Sequence, residues 1–330
     1  MIPFFFRTDY ASMTGMEKIR LGISSCLLGN NVRWNGGHAL DRFLAYTLGK
    51  YVEYVPVCPE VECGFGIPRD TFRLVGDPQR PRLVITKTGA DHTERMEAWA
   101  RKRVEDLEQE DLCGFIFKSD SPSSGMERVK VYGEKGIPSK VGVGVFARIF
   151  MEHFPLTPVE EEGRLHDPVL RENFIERIFT CKRYCAIMEG KNRVAGLMDF
   201  HTRNKLLLMA HSPKHLKEMG ALVAHAKEIT AKNLMDRYET LLMEAMALKP
   251  TAAKHTNVLH HIMGYFKKDL NADEKRELLE VINNYKRGLI PLIVPVTLLG
   301  HYVRKYNQPY LKEQTYLNPH PAELMLRNHV

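Results

Sequence analysis

Three short stretches of the sequence place thiols, hydroxyls and carboxylates close together, each directly after an apolar run. They are Ser24-Ser25-Cys26, then Cys58-Pro59-Glu60, and then residues 118–125, which contain Lys118 and four serines. Thiolates are soft ligands that bind metal centres, and a carboxylate in the right place can act as a general base. Together, these residue types indicate a site that carries out chemistry.

The apolar runs before the three stretches predict β-strands. The run at 51–57 is rich in β-branched and aromatic residues, and Pro59 cannot continue a sheet ladder. Helical patterns at 38–48 and 91–107 lie between the runs. Alternating strands and helices predict a parallel α/β sheet, whose strands all have their carboxyl ends at one edge. We therefore expect the three stretches to converge at that edge.

The composition is that of an ordinary globular protein. With 330 residues, the chain is long enough for two domains. It has no apolar run of about 18 residues, so neither a membrane span nor a membrane partner is expected. Six cysteines are too few for a disulfide framework, and we expect a cytoplasmic protein with reduced thiols. Residues 1–15 match no later pattern and are predicted to be a tag or a disordered prefix.

The second half of the chain differs from the first in pattern and in charge. After a predicted linker at 154–158, helical periodicity continues without comparable strand signals, which predicts an all-α domain. The net charge of +7 falls in residues 201–330, which hold 19 Lys and Arg against 12 Asp and Glu. Basic residues interleaved with aromatic ones favour an RNA-binding module, although solvated helices are nearly as good an interpretation. The candidates for RNA contact are Lys205, Lys254, Lys267, Lys268, Arg304 and Lys305.

Three smaller features each allow two interpretations. Arg33 and Trp34, beside two glycines, could hold an aromatic or anionic ligand or form a polar turn that caps a helix. Gly144 could allow close approach to a ligand or form a tight turn. Cys181 and Cys185 are one helical turn apart and could bind a metal. Because the sequence offers no second pair of ligands, core packing is the favoured interpretation of these two cysteines.

Taken together, the motifs resemble the thiouracil desulfidase (TudS-like) domain, followed by the helical YbgA-like domain that is often fused behind it. The matching stretches in the first part are 24–29, 58–61, 68–69 and 118–123. Those in the second part are 158–165, 171–174, 205–211, 257–259, 264–267 and 316–319. The resemblance covers nearly all of residues 17–330. It predicts a desulfidase domain at 16–153 and a YbgA-like domain at 154–330.

The resemblance implies a Rossmann-like α/β domain with a [4Fe-4S] cluster held by three cysteines. An open iron would take the sulfur of a thiocarbonyl while water replaces the sulfur at carbon. Cys26 and Cys58 match two of the ligands, but Ser124 stands where the family usually has the third cysteine. Either the chain has lost that ligand or another thiol supplies it. Cys63 is favoured over Cys113 for this role because of its position in the sequence.

The resemblance also implies roles for the polar residues of the three stretches. Glu60 is expected to activate the water. Lys118, Ser121 and Ser123 are expected to hydrogen-bond the base. The residues predicted to bind substrate are Ser25, Arg33, Trp34 and Arg69.

The fused form resembles the bacterial tRNA 4-thiouridine desulfidases. The sequence therefore predicts an iron–sulfur-dependent desulfidase for thiolated uracil, with 4-thiouridine in tRNA as its substrate. The alternative is a cluster-deficient, non-catalytic RNA-binding protein of the same fold. A zinc or thiol site that performs hydrolysis without iron is the least favoured hypothesis, because the motifs supply no further ligand for it.

Overall fold

The computed structural model describes residues 18–133 and 135–329, which form a sheet-containing part followed by a helical part. The prefix predicted at 1–15 lies outside the described residues. Within them, every strand lies between residues 19 and 161, and helices of up to 22 residues follow. This arrangement confirms the predicted α/β region followed by a helical one.

The strands form two four-stranded sheets, in the orders β2-β1-β5-β8 and β4-β3-β6-β7. They are β1 (Ile19–Ser24), β2 (Val52–Val57), β3 (Phe72–Val75), β4 (Arg82–Ile85), β5 (Phe115–Phe117), β6 (Val129–Tyr132), β7 (Pro138–Gly142) and β8 (Val159–Glu161). The first sheet is parallel throughout. Ser24 of β1 pairs with Val57 of β2, so the carboxyl ends of these two strands are level. The second sheet contains two antiparallel pairs, β3 with β4 and β6 with β7.

Strand β8 lies beyond the linker predicted at 154–158, in a region where the sequence predicts only helices. It pairs with β5 from Val159 to Glu161 and forms an edge of the first sheet. A strand of three residues is too short to show a period of two. The first sheet therefore extends past the predicted boundary between the domains.

Helices cover both faces of the first sheet, as a parallel sheet requires. The sheet-containing part has α1 (Pro59–Glu62), α2 (Thr93–Leu107) and α3 (Val145–His153). On one face, the rings of Phe115 and Phe117 stack 4.4 Å apart and pack against Phe146 and Phe150 of α3. On the other face, the buried side chains of β1 belong to a core that also contains Ile178, from the first long helix of the second part.

The second part is a bundle of helices joined by short connections. They are α4 (Pro168–Glu189), α5 (Arg193–His211), α6 (Pro213–Ala224), α7 (Ala231–Ala247), α8 (Ala252–Tyr265), α9 (Ala272–Lys286), α10 (Ile293–Lys305) and α11 (Pro309–Lys312). Asp167 begins α4 by accepting hydrogen bonds from the Val169 and Leu170 amides. Among the described residues, none of the helices combines the length and the hydrophobicity that crossing a bilayer demands.

Candidate active site

The carboxyl ends of β1, β2 and β5 open into one cavity of about 400 Å³. Because these strands are parallel and adjacent, the residues that follow Ser24, Val57 and Phe117 emerge at the same edge of the sheet. The structure thus brings the three polar stretches together. The residues from those predictions that line the cavity are Ser25, Cys26, Arg33, Trp34, Cys58, Glu60, Arg69, Lys118, Ser121, Ser123 and Ser124.

Two thiols face this cavity from neighbouring strand ends. Cys26 lies in a 3₁₀ turn that ends at Gly29, whose φ of 91° belongs to the left-handed region that glycine adopts easily. Cys58 immediately precedes α1, and its amide donates a 2.8 Å hydrogen bond to Glu62. Burial raises the pKa of the Cys26 thiol to about 11 and also raises the pKa of Cys58. Both thiols therefore favour the protonated form, whereas a metal ion would deprotonate a coordinating thiol.

Glu60 is held by donors on both of its carboxylate oxygens. Arg69 donates to Oε2 through Nε at 3.0 Å and through Nη2 as well. Ser123 donates to Oε1 at 2.9 Å, and its hydroxyl is in turn 3.1 Å from that of Ser121. Arg69 is itself fixed by the carbonyl of Val32 at 3.0 Å. The network orients the Glu60 carboxylate at the cavity wall. The carboxylate oxygens can still accept a hydrogen bond from one more donor.

The buried Ser124 is bonded inside the protein and belongs to a tight turn. Its Oγ lies 2.8 Å from the Oγ of Ser24, and its amide donates to Ser121 Oγ at 3.1 Å. The Gly125 amide closes the turn by donating to the Ser121 carbonyl at 2.8 Å. Gly144 packs directly against the backbone of this turn. Its small size therefore serves close packing within the protein, which is the tight-turn interpretation and not close approach to a ligand. The turn therefore holds a hydroxyl oxygen in the lining of the cavity that the two thiols also face.

Lys118 is anchored by Glu162, a residue that the sequence analysis missed. Lys118 Nζ is 2.5 Å from Glu162 Oε1, and Glu162 also accepts hydrogen bonds from the amide and hydroxyl of Ser119. Glu162 directly follows β8. The acidic run at 160–162 is visible in the sequence, but it points to this site only once β8 is recognised as a neighbour of β5.

The two parts of the chain match two known protein families. Residues 21–162 match the family model for 2-thiouracil desulfurase, a range that contains every residue lining the cavity. Residues 205–321 match a model described as a protein of unknown function (DUF1722). The chain is 31% identical over 108 residues to the uncharacterized protein YbbK of Bacillus subtilis (strain 168). This alignment covers 31% of the chain and 71% of YbbK. The chain is also 32% identical over 155 residues to the uncharacterized protein YbgA of Escherichia coli (strain K12). That alignment covers 46% of the chain and 90% of YbgA.

The first domain belongs to the 2-thiouracil desulfurase family, and a YbgA-like domain follows it in the same chain. A solved structure, the [4Fe-4S]-dependent thiouracil desulfidase TudS, is 25% identical in sequence to this chain. The match covers 46% of this chain and 95% of TudS, with a TM-score of 0.38.

Cys63, the favoured substitute for the third ligand, is not among the residues that line the cavity, which corrects that interpretation. Cys63 ends α1 and packs into the core on the side of α2, where its Sγ lies 3.6 Å from the carbonyl of Arg95. The single turn of α1 directs Cys58 and Cys63 to different sides. Cys113, the less favoured substitute, precedes β5 and therefore lies at the amino end of the strand, away from the cavity.

The YbgA-like domain places the candidate RNA-contacting residues in several environments. Lys305 forms an ion pair with Glu274 at 2.6 Å, and Lys254 donates to the carbonyl of His211 at 2.6 Å. These two lysines stabilise contacts within the protein. The aromatic neighbours Phe266 and Tyr302 are buried in the core, so their rings are not open to a base. The candidates whose side chains are exposed are Lys205, Lys267, Lys268, Arg304 and Lys305.

Proposed function

We propose that this protein removes the sulfur of a thiolated uracil ring in the cavity at the strand ends. The observation that carries the proposal is the convergence of Cys26, Cys58 and the Glu60–Ser123 pair on one cavity. Membership of the 2-thiouracil desulfurase family supports the substrate class. The cavity of about 400 Å³ is also in the range of pockets that hold small ligands.

The residues present fit an iron–sulfur cluster at two positions and differ at the third. Cys26 and Cys58 would hold a [4Fe-4S] cluster, with the Ser124 Oγ at the remaining position. Of the residues lining the cavity, these two are the only cysteines, so the donor set consists of two sulfurs and one oxygen. When bound, the cluster supplies a soft iron with an open coordination position, to which a thiocarbonyl sulfur is a suitable ligand.

The protein's own residues bind and orient the base. Trp34 is exposed at the rim, where its ring can stack on the base. Lys118 and Ser121 line the wall, where the Lys118 ammonium can donate to an oxygen of a uracil edge and the Ser121 hydroxyl can accept from a ring N–H. Because Glu162 holds the Lys118 ammonium and the Ser121 hydroxyl is bonded to Ser123, both side chains are positioned before the substrate arrives.

Glu60 is the group that activates water in this proposal. Its carboxylate, fixed by Arg69 and Ser123, accepts a hydrogen bond from a water molecule and takes its proton as the oxygen attacks the thiocarbonyl carbon. A C–O bond forms and the C–S bond breaks. The overall reaction converts a thiocarbonyl and water into a carbonyl and hydrogen sulfide, without net electron transfer.

The proposed substrate is 4-thiouridine within tRNA, and the YbgA-like domain is proposed to bind the RNA. The support is the excess of basic residues in 201–330 and the exposure of Lys205, Lys267 and Lys268. Contacts with phosphates release counterions, so the affinity for tRNA should fall steeply as the salt concentration rises. Binding that does not change between low and physiological salt would contradict this part of the proposal.

The substitution at position 124 favours a second candidate, a non-catalytic RNA-binding protein of the same fold. Anaerobic reconstitution of the wild-type chain and of Ser124→Cys, followed by iron analysis and a desulfidation assay on 4-thiouracil and thiolated tRNA, distinguishes the two. Ser139→Cys is the matched control, because Ser139 lies on the exposed strand β7, away from the cavity.

We expect Ser124→Cys to hold about four irons and to remove sulfur faster than the wild-type chain. Ser139→Cys should behave like the wild type, and Cys26→Ser should hold no cluster. Wild-type protein that holds no iron and removes no sulfur, but binds tRNA, would establish the second candidate. A fully loaded Ser124→Cys chain without activity would refute desulfidation in this cavity.

A further inference from the structure

Three cysteines outside the cavity form a second cluster of thiols. Cys113 lies two residues before β5, and Cys181 and Cys185 lie on α4. The Sγ atoms of these three residues all lie within 4.8 Å of one another. The sequence shows only the pair on α4, which is why core packing is the favoured interpretation there. The fold supplies the third thiol from a distant part of the chain.

The backbone fixes the positions of these three cysteines. The Cys113 amide donates to the carbonyl of Arg20 at 2.9 Å, which anchors Cys113 beside β1. Cys181 and Cys185 are separated by four residues and therefore project from the same face of α4. Gly114 allows α4 to approach closely, because a Cβ atom there would lie 2.9 Å from Ile178 Cγ2. The cluster therefore lies between strand β5 and helix α4.

We propose that Cys113, Cys181 and Cys185 form a binding site for a single thiophilic metal ion, with Zn²⁺ as the expected occupant. Zn–S bonds of about 2.3 Å in a tetrahedral complex separate two sulfurs by about 3.8 Å. The observed limit of 4.8 Å requires only small side-chain adjustments to reach that geometry. Three protein sulfurs leave one coordination position for water or another small ligand.

The accessibility of the three thiols is consistent with such a site. Cys113 and Cys181 are buried, whereas Cys185 is half-buried and gives the ion a route from solvent. All three are free cysteines, so each thiol is available as a ligand.

Occupation of the site would connect the two parts of the protein. Cys113 belongs to the desulfurase domain, and the other two cysteines belong to the helix that covers the opposite face of its sheet. A metal ion shared by strand and helix would hold the helix against the sheet. Because the three preassembled thiols bind the metal more tightly than the unfolded chain does, the metal would also raise the thermal midpoint of unfolding.

Cobalt substitution in the full-length protein tests the site. The parent for the test is the Cys26→Ser/Cys58→Ser variant, reduced and stripped of metal, in which the cavity has no thiol. Titration with Co²⁺ should give the visible bands of a tetrahedral site and thiolate-to-cobalt charge transfer, at one equivalent per chain. Loss of an outer-shell partner costs about 10- to 100-fold in metal affinity, so Cys185→Ser should lose more than about 100-fold. Cys63→Ser, which alters a buried cysteine outside the cluster, should bind cobalt like the parent.

A second measurement does not depend on the folding of any variant at this cluster. The parent is alkylated with a thiol reagent with and without Zn²⁺, and the modified positions are mapped by mass spectrometry. Zn²⁺ should protect Cys185 strongly and leave the labelling of Cys63 unchanged. The proposal is overturned if the parent binds neither cobalt nor zinc, if Cys185→Ser binds cobalt as tightly as the parent, or if zinc gives no protection.

Discussion

Replacing Gly144 by alanine would push on the turn that carries Ser123 and Ser124 without changing any group in the cavity. Gly144 has φ −63° and ψ 146°, which any residue adopts, so the substitution introduces no backbone strain. A Cβ atom at this position would lie 2.6 Å from the carbonyl carbon of Ser123 and 2.7 Å from the amide nitrogen of Ser124. Ordinary contact begins near 3.4 Å, so the turn must retreat by about 0.8 Å.

This displacement should affect catalysis more than stability. Misplacement of a catalytic group by about 1 Å can cost about 100-fold in rate, and Ser123 holds the carboxylate of Glu60. We therefore expect kcat/KM for desulfidation to fall by about 100-fold. Overpacking of this kind should lower the free energy of unfolding by about 1–3 kcal/mol. The assay follows the loss of thiocarbonyl absorbance from 4-thiouracil, with Ser124→Cys as the parent.

The matched control is Gly133→Ala in the same domain. A Cβ atom at Gly133 would meet no atom within 4 Å, and its φ lies outside the left-handed region. This variant should keep the kcat/KM of the parent. If Gly144→Ala is folded and retains kcat/KM within about twofold of the parent, the position of the turn does not govern the reaction, and the role given to Ser123 is wrong.

Three further predictions concern other parts of the structure. Arg327→Met should lower the free energy of unfolding by about 3–5 kcal/mol in urea, because it leaves the buried Glu176 without its 2.8 Å partner; a loss below about 1 kcal/mol would contradict this. Burial lowers the pKa of His255 from 6.5 to about 3. The free energy of unfolding should therefore fall as the pH drops below 6.5, because the unfolded chain binds the proton and the folded chain does not. Urea midpoints that do not change between about pH 7.5 and 5 would refute this prediction. Arg69→Lys replaces a planar fork on Glu60 by a point charge and should lower kcat by about tenfold or more at unchanged iron content; an unaltered kcat would show that Arg69 does not orient the carboxylate.

The sequence predicts the convergence of the polar stretches because that convergence follows from strand direction alone. Cys26, Cys58 and Lys118 each follow an apolar run, and parallel strands bring such positions to one edge. Predicting that these positions converge requires no knowledge of side-chain contacts. The pairing of Arg69 with Glu60 could not be predicted in this way, because it depends on the path of the chain between the two residues.

The errors arise where short elements decide the outcome. Cys63 is five residues after Cys58, and proximity in sequence suggests proximity in space. The four residues of α1 are enough to turn its side chain into the core beside α2. Likewise, the cluster of Cys113 with Cys181 and Cys185 depends on the packing of α4 against the sheet. A helix of one turn is too short to show a hydrophobic period in the sequence, and the sequence period does not show which face of the sheet a helix covers.

Strand β8 has a consequence for how the two parts of the protein cooperate. The predicted boundary after residue 153 would separate β8 from the sheet to which it belongs. It would also separate Glu162 from Lys118, the residue that it anchors at the cavity. Helix α4 follows a few residues later and covers the face of the sheet formed by β1. Because parallel sheets occur almost only with both faces covered, the packing of α4 on β1 makes the helical part a cover for the sheet of the desulfurase domain, in addition to its proposed role in binding RNA.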